Sequence, residues 1–280
     1  MTPTKSSLIK TEGNSEFKIE LRNVHKSFGP TKQILRGTNL QIQRGETMVI
    51  LGGSGTGKSV LLKCLLGLEP IQQGEIFIDG HNITHIKGEA RMELMSKFGM
   101  LFQGAALFDS MTVWENIAFV LLRRGVKRAT AKEVAIEKLR LVGLKPEVAD
   151  QNPSSLSGGQ RKRVGLARAV CHQPEIILYD EPTTGLDPIT SDIINELILK
   201  LQSELKCTSL MITHDMTSAF KVANRMAFLY QGEFIALGTP QQFRKGDIRE
   251  STLANAEVRP QTGEMVTQFI EGRSTGPITA

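Results

Sequence analysis

Gly52-Gly53-Ser54-Gly55-Thr56-Gly57-Lys58-Ser59 fits the pattern G-x-x-x-x-G-K-[ST]. A loop of this kind surrounds phosphate oxygens with backbone N–H groups, brings a lysine to the β- and γ-phosphates and offers a hydroxyl to Mg²⁺. A second group with chemical potential is Asp180-Glu181, which directly follows the apolar run Ile176-Ile177-Leu178-Tyr179. Ligands of α/β proteins collect at the carboxyl ends of parallel strands. At such an end Asp180 would hold the Mg²⁺ that bridges the phosphates, and Glu181 would orient or deprotonate an attacking water. The phosphate loop by itself suits a kinase or a GTPase as well as an ATPase.

Positioning these groups requires a strand before the loop and a helix after it. Thr47-Met48-Val49-Ile50-Leu51 has the apolar, β-branched character of a buried strand, and Val60-Leu61-Leu62-Lys63-Cys64-Leu65-Leu66 that of a buried helix ended by Gly67. The unpaired N–H groups and partial positive charge at the start of that helix favour a bound anion. Upstream, the alternation from Phe17 to Val24 predicts a half-buried strand, Gly29-Pro30 a turn, and Leu35 to Ile42 a second strand. Glu75-Ile76-Phe77-Ile78, ended by Asp79-Gly80, adds another, so a small antiparallel sheet leans on the nucleotide core.

Gly99-Met100-Leu101-Phe102 is a short buried-type strand ending at Gln103. From Thr112 to Val142 the apolar spacing becomes helical, which marks an inserted helical segment closed by Gln151-Asn152-Pro153. Three apolar runs then recur between helical spacers: Ile176 to Tyr179, Ser209 to Ile212 and Met226 to Tyr230. Strands alternating with helices imply a parallel sheet. Asp187 to Leu205 reads as the crossover helix, with Ile193, Ile194, Leu197 and Leu201 as its buried stripe. Beyond Lys245 the chain turns polar and irregular, with one apolar cluster at Met265, Val266, Phe269 and Ile270 that needs cover.

The totals agree with a folded protein. A 280-residue chain with 40% apolar and 22% charged residues can bury a sizeable core. No run of 18 apolar residues occurs and Met1 to Ser15 lacks the apolar centre of a secretion signal, so a cytosolic location is expected. Cys64, Cys171 and Cys207 are far apart and form no C-x-x-C pair, which leaves them as reduced packing residues. The net charge of +5 is dispersed except at Arg123 to Arg128 and Arg161-Lys162-Arg163, runs that suit a solvated face, an anionic lipid surface or an acidic partner.

Leu156-Ser157-Gly158-Gly159-Gln160, about twenty residues before Asp180-Glu181, resembles the signature of the ATP-binding cassette (ABC) family. The other family landmarks occur in order from about Phe17 to Lys245. Gln103 matches the Q-loop, Gly185-Leu186-Asp187 the D-loop, and His214 in Ile212-Thr213-His214-Asp215 the switch histidine. Phe28 matches the aromatic position that stacks on adenine, although a phenylalanine there also suits the core. The resemblance implies an α/β phosphate-loop NTPase with a RecA-like parallel-sheet core, an antiparallel β subdomain and an inserted helical subdomain at about 111–157. It implies a disordered segment 1–16, a cassette 17–245 and a C-terminal extension 246–280.

The same resemblance assigns the site. ATP and Mg²⁺ are the expected cofactors, held by Phe28, Gly52 to Ser59, Val60, Ser157, Gly158, Gly159 and Asp187, with Ser59, Gln103 and Asp180 toward the metal and Glu181, His214 and Gln103 in catalysis. Family members work as head-to-tail dimers in which ATP lies between the phosphate loop of one subunit and the signature of the other, so a homodimer is implied. The insertion usually receives a helix of a membrane permease. Here Leu107, Phe108, Met111, Val113 and Trp114 are the apolar set for that contact, or else core.

Finer resemblance comes from Met100 to Phe108, Gly159 to Arg168 and Leu178 to Pro188. These segments look like the ATPases of the Mla (maintenance of lipid asymmetry) system and related Mce-type lipid transporters. Arg161-Lys162-Arg163 stands where many solute importers carry a glutamine-rich stretch. That likeness implies two copies of a permease, a STAS-type regulatory subunit, a periplasmic Mce lipid-binding protein, phospholipid cargo and a place on the cytoplasmic face of a Gram-negative inner membrane. It also implies a tail packed on the opposite ATPase subunit, covering Phe269 and Ile270. Amino-acid or drug transport is the alternative. A soluble ABC protein acting on nucleic acid fits poorly, because such proteins usually carry two cassettes or a coiled-coil insertion.

Overall fold

The computed structural model describes residues 16–29, 31–246, 248 and 261–279. Residues 1–15, 30, 247, 249–260 and 280 lie outside the described residues, so nearly all of the expected disordered start and the proline of the first turn lie there too.

Strands β1 (Phe17–Phe28) and β2 (Lys32–Gln43) form a long antiparallel pair. The second begins before the expected Leu35, because pairing with β1 carries Lys32 and Gln33 into the sheet although both are polar and exposed. β3 (Thr47–Leu51) leads through the phosphate loop into α1 (Lys58–Leu65). β4 (Gln73–Ile78) pairs with β1, and β5 (His81–Asn82) closes the four-stranded sheet β2-β1-β4-β5. A helix that the sequence pattern did not announce, α2 (Gly88–Met95), precedes β6 (Phe98–Leu101); only Leu94 of it is buried, so it has no apolar stripe to read.

Between β6 and the signature lie α3 (Val113–Ile117), α4 (Phe119–Arg123), α5 (Arg128–Leu141) and two 3₁₀ turns, Pro146–Asp150 and Pro153–Ser155. Asn116 closes the loop before α3: its Nδ2 donates to the carbonyls of Phe108, Met111 and Thr112, and its Oδ1 accepts from Phe108 N. Then follow α6 (Gly158–Val170), β7 (Ile176–Asp180), α7 (Pro188–Leu205), β8 (Thr208–Thr213), α8 (Met216–Val222), β9 (Arg225–Tyr230), β10 (Glu233–Gly238), α9 (Pro240–Lys245) and α10 (Thr262–Glu271).

The second sheet has the order β10-β9-β3-β8-β7-β6, parallel except for β10. It is buried on both faces, as parallel sheets are. Along β3 the alternation of side chains sends Met48 and Ile50 into a core shared with the antiparallel sheet and α1, and Val49 and Leu51 into a core shared with α3, α5, α6 and α7. The stripe of α7 differs from the one expected. Ile194, Ile198 and Leu201 are buried together with Asn195, whereas Ile193 is 41% exposed, because a pitch of 3.6 residues turns it off that face.

The three cysteines are buried and free, and burial pushes the Cys64 and Cys171 thiols up to about 11. The apolar cluster near the C-terminus is covered in part by its own chain. Met265 and Val266 are buried, and the half-buried Phe269 ring lies 4.9 Å from that of Phe228. In the helical segment Val113 and Trp114 are core residues, which removes them from the set expected to meet a permease, while Phe108 stays 44% exposed beside Phe119.

Candidate active site

Strand order places the chemistry. Because β3, β8, β7 and β6 are adjacent and parallel, their carboxyl ends set the phosphate loop, His214, Asp180-Glu181 and Gln103 side by side along one edge. A cavity of ≈ 390 Å³ lies there, lined by Phe28, Lys32, Ile34, Ser54, Gly55, Gly57, Lys58, Ser59, Val60, Gln103, Glu181 and His214. Lys32 and Ile34 had no sequence signal; they arrive because β2 runs past the loop.

The loop owes its shape to glycine. Gly52 and Gly57 have φ of 158° and 108°, and a Cβ on Gly57 would stand 2.9 Å from Ile34 Cγ2. Lys58 is 7% exposed and its ammonium donates to the Gly52 and Gly53 carbonyls at 2.6 and 2.8 Å. Burial pulls its pKa below the ordinary lysine value, while Glu181 and Asp180 draw it back up. Thr56 Oγ1 holds the turn by donating to Gly53 O at 3.0 Å.

Glu181 has a left-handed backbone with φ 49°, a conformation that costs a non-glycine residue roughly 1–3 kcal/mol. Its Oε2 accepts from Thr184 Oγ1 at 3.0 Å and Thr213 Oγ1 at 3.4 Å, and lies 2.9 Å from His214 Nδ1. Ser59 Oγ stands 3.5 Å from Asp180 Oδ1. Burial raises the Asp180 pKa, and the neighbouring Glu181 charge raises it further. A hydroxyl and an electrostatically disfavoured carboxylate form the hard-oxygen pair that suits Mg²⁺, an ion that takes one or two protein ligands and completes its shell with water and phosphate. Among the described residues no group of three or more His, Cys, Asp or Glu side chains is arranged to hold a metal ion by itself.

A family model described as ABC transporter matches residues 35–184, which include the phosphate loop, Gln103, the signature and Asp180-Glu181. The chain belongs to the ABC transporter family. It is an ATPase subunit of such a transporter, with ATP as its nucleotide. It is 39% identical over 261 residues to the probable ribonucleotide transport ATP-binding protein mkl of Mycobacterium leprae, covering 93% of this chain and 70% of that one. It is 38% identical over 274 residues to methionine import ATP-binding protein MetN 1 of Bacillus cereus, covering 92% and 79%. Among solved structures, the dimeric post-hydrolysis state of the cassette MJ0796 with ADP and Pi matches with a TM-score of 0.72 at 32% identity, covering 79% of this chain and 98% of that one. CbiO1 from Clostridium perfringens, part of the ABC transporter complex cbiONQ, matches with a TM-score of 0.75 at 26% identity, covering 90% and 100%.

The cassette does not bring all the sequence candidates together. Ser157, Gly158, Gly159 and Asp187 are absent from the lining of the phosphate-loop cavity. Gly158 lines a separate cavity of ≈ 170 Å³ with Gly185 and Leu186. Ser157 caps α6 in a reciprocal box with Gln160, and Asp187 caps α7 through Thr190 N and Oγ1 at 2.9 and 2.6 Å. These bonds to Thr190 hold the Asp187 carboxyl below its usual pKa. The two caps touch, since a Cβ on Gly159 would stand 2.5 Å from Thr190 Cγ2.

The basic run after the signature corrects a reading of composition. Lys162 is 5% exposed and so turned away from any solvated face, whereas Arg161, exposed, and Arg163, half-buried, donate to the Leu156 and Gly143 carbonyls. Sequence reasoning also missed a polar network behind His214. Asp215 accepts from Ser218 Oγ at 2.6 Å and Thr183 Oγ1 at 3.1 Å, and Asn195 Nδ2 donates to Ser218 Oγ at 2.9 Å. Its members lie 183 to 218 in the chain and share no motif spacing.

Proposed function

We propose that this chain couples Mg²⁺-dependent ATP hydrolysis to phospholipid movement between membranes, as one of two identical cassettes beneath a permease. The observation that carries the hydrolytic part is the convergence of Lys58, Gln103, Glu181 and His214 on one cavity while the signature stands on another. A half-site of this kind needs Ser157, Gly158, Gly159 and Asp187 from a second copy, and the dimeric relative with ADP and Pi supports that arrangement. Bound at Ser59, Asp180 and Gln103, Mg²⁺ would supply charge neutralisation for the β- and γ-phosphates. Lys58 adds a second positive charge there. His214, Thr184 and Thr213 all engage Oε2 of Glu181, which leaves Oε1 as the oxygen that takes a proton from water. Phe28, at the mouth, stacks on adenine.

Residues 17–245 form the cassette, with 111–157 as its helical subdomain and 246–280 as an extension. No helix among the described residues is long and apolar enough to cross a membrane, so attachment to the cytoplasmic face of the inner membrane would be peripheral. Exposed Phe102 and Phe108, with Leu107 and Met111, would receive a permease helix. The phospholipid cargo, the STAS-type subunit and the Mce partner rest on the likeness of the segments around Phe108, Arg163 and Glu181 to Mla-type ATPases. Methionine import is the second reading, favoured by the 38% identity to the B. cereus methionine import protein.

Two experiments test the proposal. Glu181→Gln lowers steady-state ATP turnover by about 10²-fold or more while ATP still binds; unchanged turnover would overturn the general-base role. In proteoliposomes containing the purified transporter, transfer of a fluorescent phospholipid to an Mce-type acceptor rises with ATP. Turnover stimulated by a methionine-binding protein, without lipid transfer, would establish the second reading instead.

A further inference from the structure

The signature helix α6 sends two cations inward, and both end on strained backbone. Lys162 Nζ donates to the Glu181 carbonyl at 3.1 Å. Six residues further on, Arg168 donates to the Ala105 and Ala106 carbonyls, each at 2.6 Å. The three acceptor residues have φ of 49°, 59° and 48°. A non-glycine residue holds that conformation only where its surroundings over-determine it. One helix therefore braces the exits of β7 and β6, the first carrying Glu181 and the second leading on from Gln103.

Stability alone does not account for the lysine. An apolar side chain at a buried position avoids the desolvation of an ammonium, and such replacements are often neutral or stabilising. At Lys162 burial pulls the pKa below the ordinary lysine value, while the neighbouring Asp180 and Glu181 draw it back up. The helix begins at Ser157, and Gly159 packs on Thr190 at the start of α7, so a shift at the signature moves the body that carries Lys162.

We propose that Lys162 is a positioning residue for hydrolysis, holding the Glu181 backbone so that the signature end of one nucleotide site sets the base of the other. This rests on the reading of Glu181 as general base and of the signature as facing a second copy. Lys162 does not line the phosphate-loop cavity; it acts through Glu181.

The test compares Lys162→Met, Lys162→Gln and Glu181→Gln in the full chain, with Mg-ATP turnover, binding of a fluorescent ATP analogue and thermal melting. Lys162→Met lowers kcat about tenfold or more, leaves binding of the analogue within about threefold and does not lower Tm. The Hill coefficient for ATP falls toward one, and Lys162→Gln, which keeps an N–H donor, recovers part of both kcat and cooperativity. The inference is overturned if Lys162→Met keeps kcat and cooperativity, if its loss of rate tracks a loss of Tm or ATP binding, or if Lys162→Gln recovers nothing. Full turnover in Glu181→Gln would instead defeat the general-base reading, whatever the lysine variants do.

Discussion

Two clusters of partly buried charge sit at junctions of the fold, and they are finished differently. At the end of β4, Asp79 is met by Lys18 Nζ at 2.8 Å, Lys97 Nζ at 2.9 Å and Arg44 at 2.7 Å, and Lys18 and Lys97 also bind Glu175. That node ties β1 and β4 of the antiparallel sheet to the starts of β6 and β7, and the cations hold the Asp79 carboxyl down at about 2 despite its burial. At the phosphate loop the opposite holds. Lys58 reaches only carbonyls of its own loop, burial pulls its pKa down, and Asp180 is raised by burial and by Glu181. The saturated cluster holds the fold together. The unsaturated one is where the proposed function places the phosphates and the cation.

Exchange of single charges separates the two. Lys58→Met removes an ammonium that the fold alone does not need, so kcat/KM for ATP falls by about 10²–10³-fold while Tm without nucleotide stays level or rises. An ATP titration and a melting curve on the same sample check this. A fall in Tm with ATP affinity kept would place Lys58 with Asp79 as a structural charge.

The contrast also explains what could be read in the sequence. Gly52 to Ser59 was legible because loop, flanking strand and helix are contiguous, and Ile176 to Glu181 because an apolar run ends in two acids. Asp79, by contrast, reads as half of an Asp-Gly turn, since its partners at 18, 44 and 97 are distant in the chain. Lys162 reads as surface for a similar reason: composition carries no direction, and only the packing of α6 turns it inward. What covers the apolar residues of the tail helix could not be read either, because the Phe269–Phe228 ring contact joins positions far apart in the chain. Likewise the choice between Ile193 and Ile198 on α7 was one of phase, which a stripe of four similar residues leaves open.

At the saturated cluster the outcome reverses. Asp79 has φ 53°, a conformation asparagine tolerates, so Asp79→Asn isolates the charge. We expect a loss of about 2 kcal/mol at pH 7, seen as a fall of roughly 4 °C in Tm, with ATP turnover within about twofold of the parent. The sign with pH follows from the depressed carboxyl, whose folded pKa is about 2 against an ordinary 3.8. Its stabilisation is complete above the ordinary value and drains away as pH falls toward 2, so parent and variant converge in Tm through that window. A gap in Tm that persists at the acid end would show that geometry, not charge, makes the node.

The smallest effect belongs to the rim of the open cluster. Phe28 is 43% exposed, an unusual place for so large an apolar ring, and Lys26 Nζ lies 4.7 Å from its centroid. A ring held this way offers a flat face beside the phosphate loop without burying it in the core, which suits a base better than packing. Stacking of a base on an aromatic ring is worth about 1–3 kcal/mol, and at an exposed edge the low end applies. Phe28→Ala should therefore raise the Kd for ATP about fivefold to tenfold, with kcat at saturation unchanged and Phe28→Tyr restoring affinity. Because every base has a π-face, GTP should lose the same factor. A loss confined to ATP would point to hydrogen-bond recognition of adenine, and no loss would return Phe28 to a purely structural place at the end of β1.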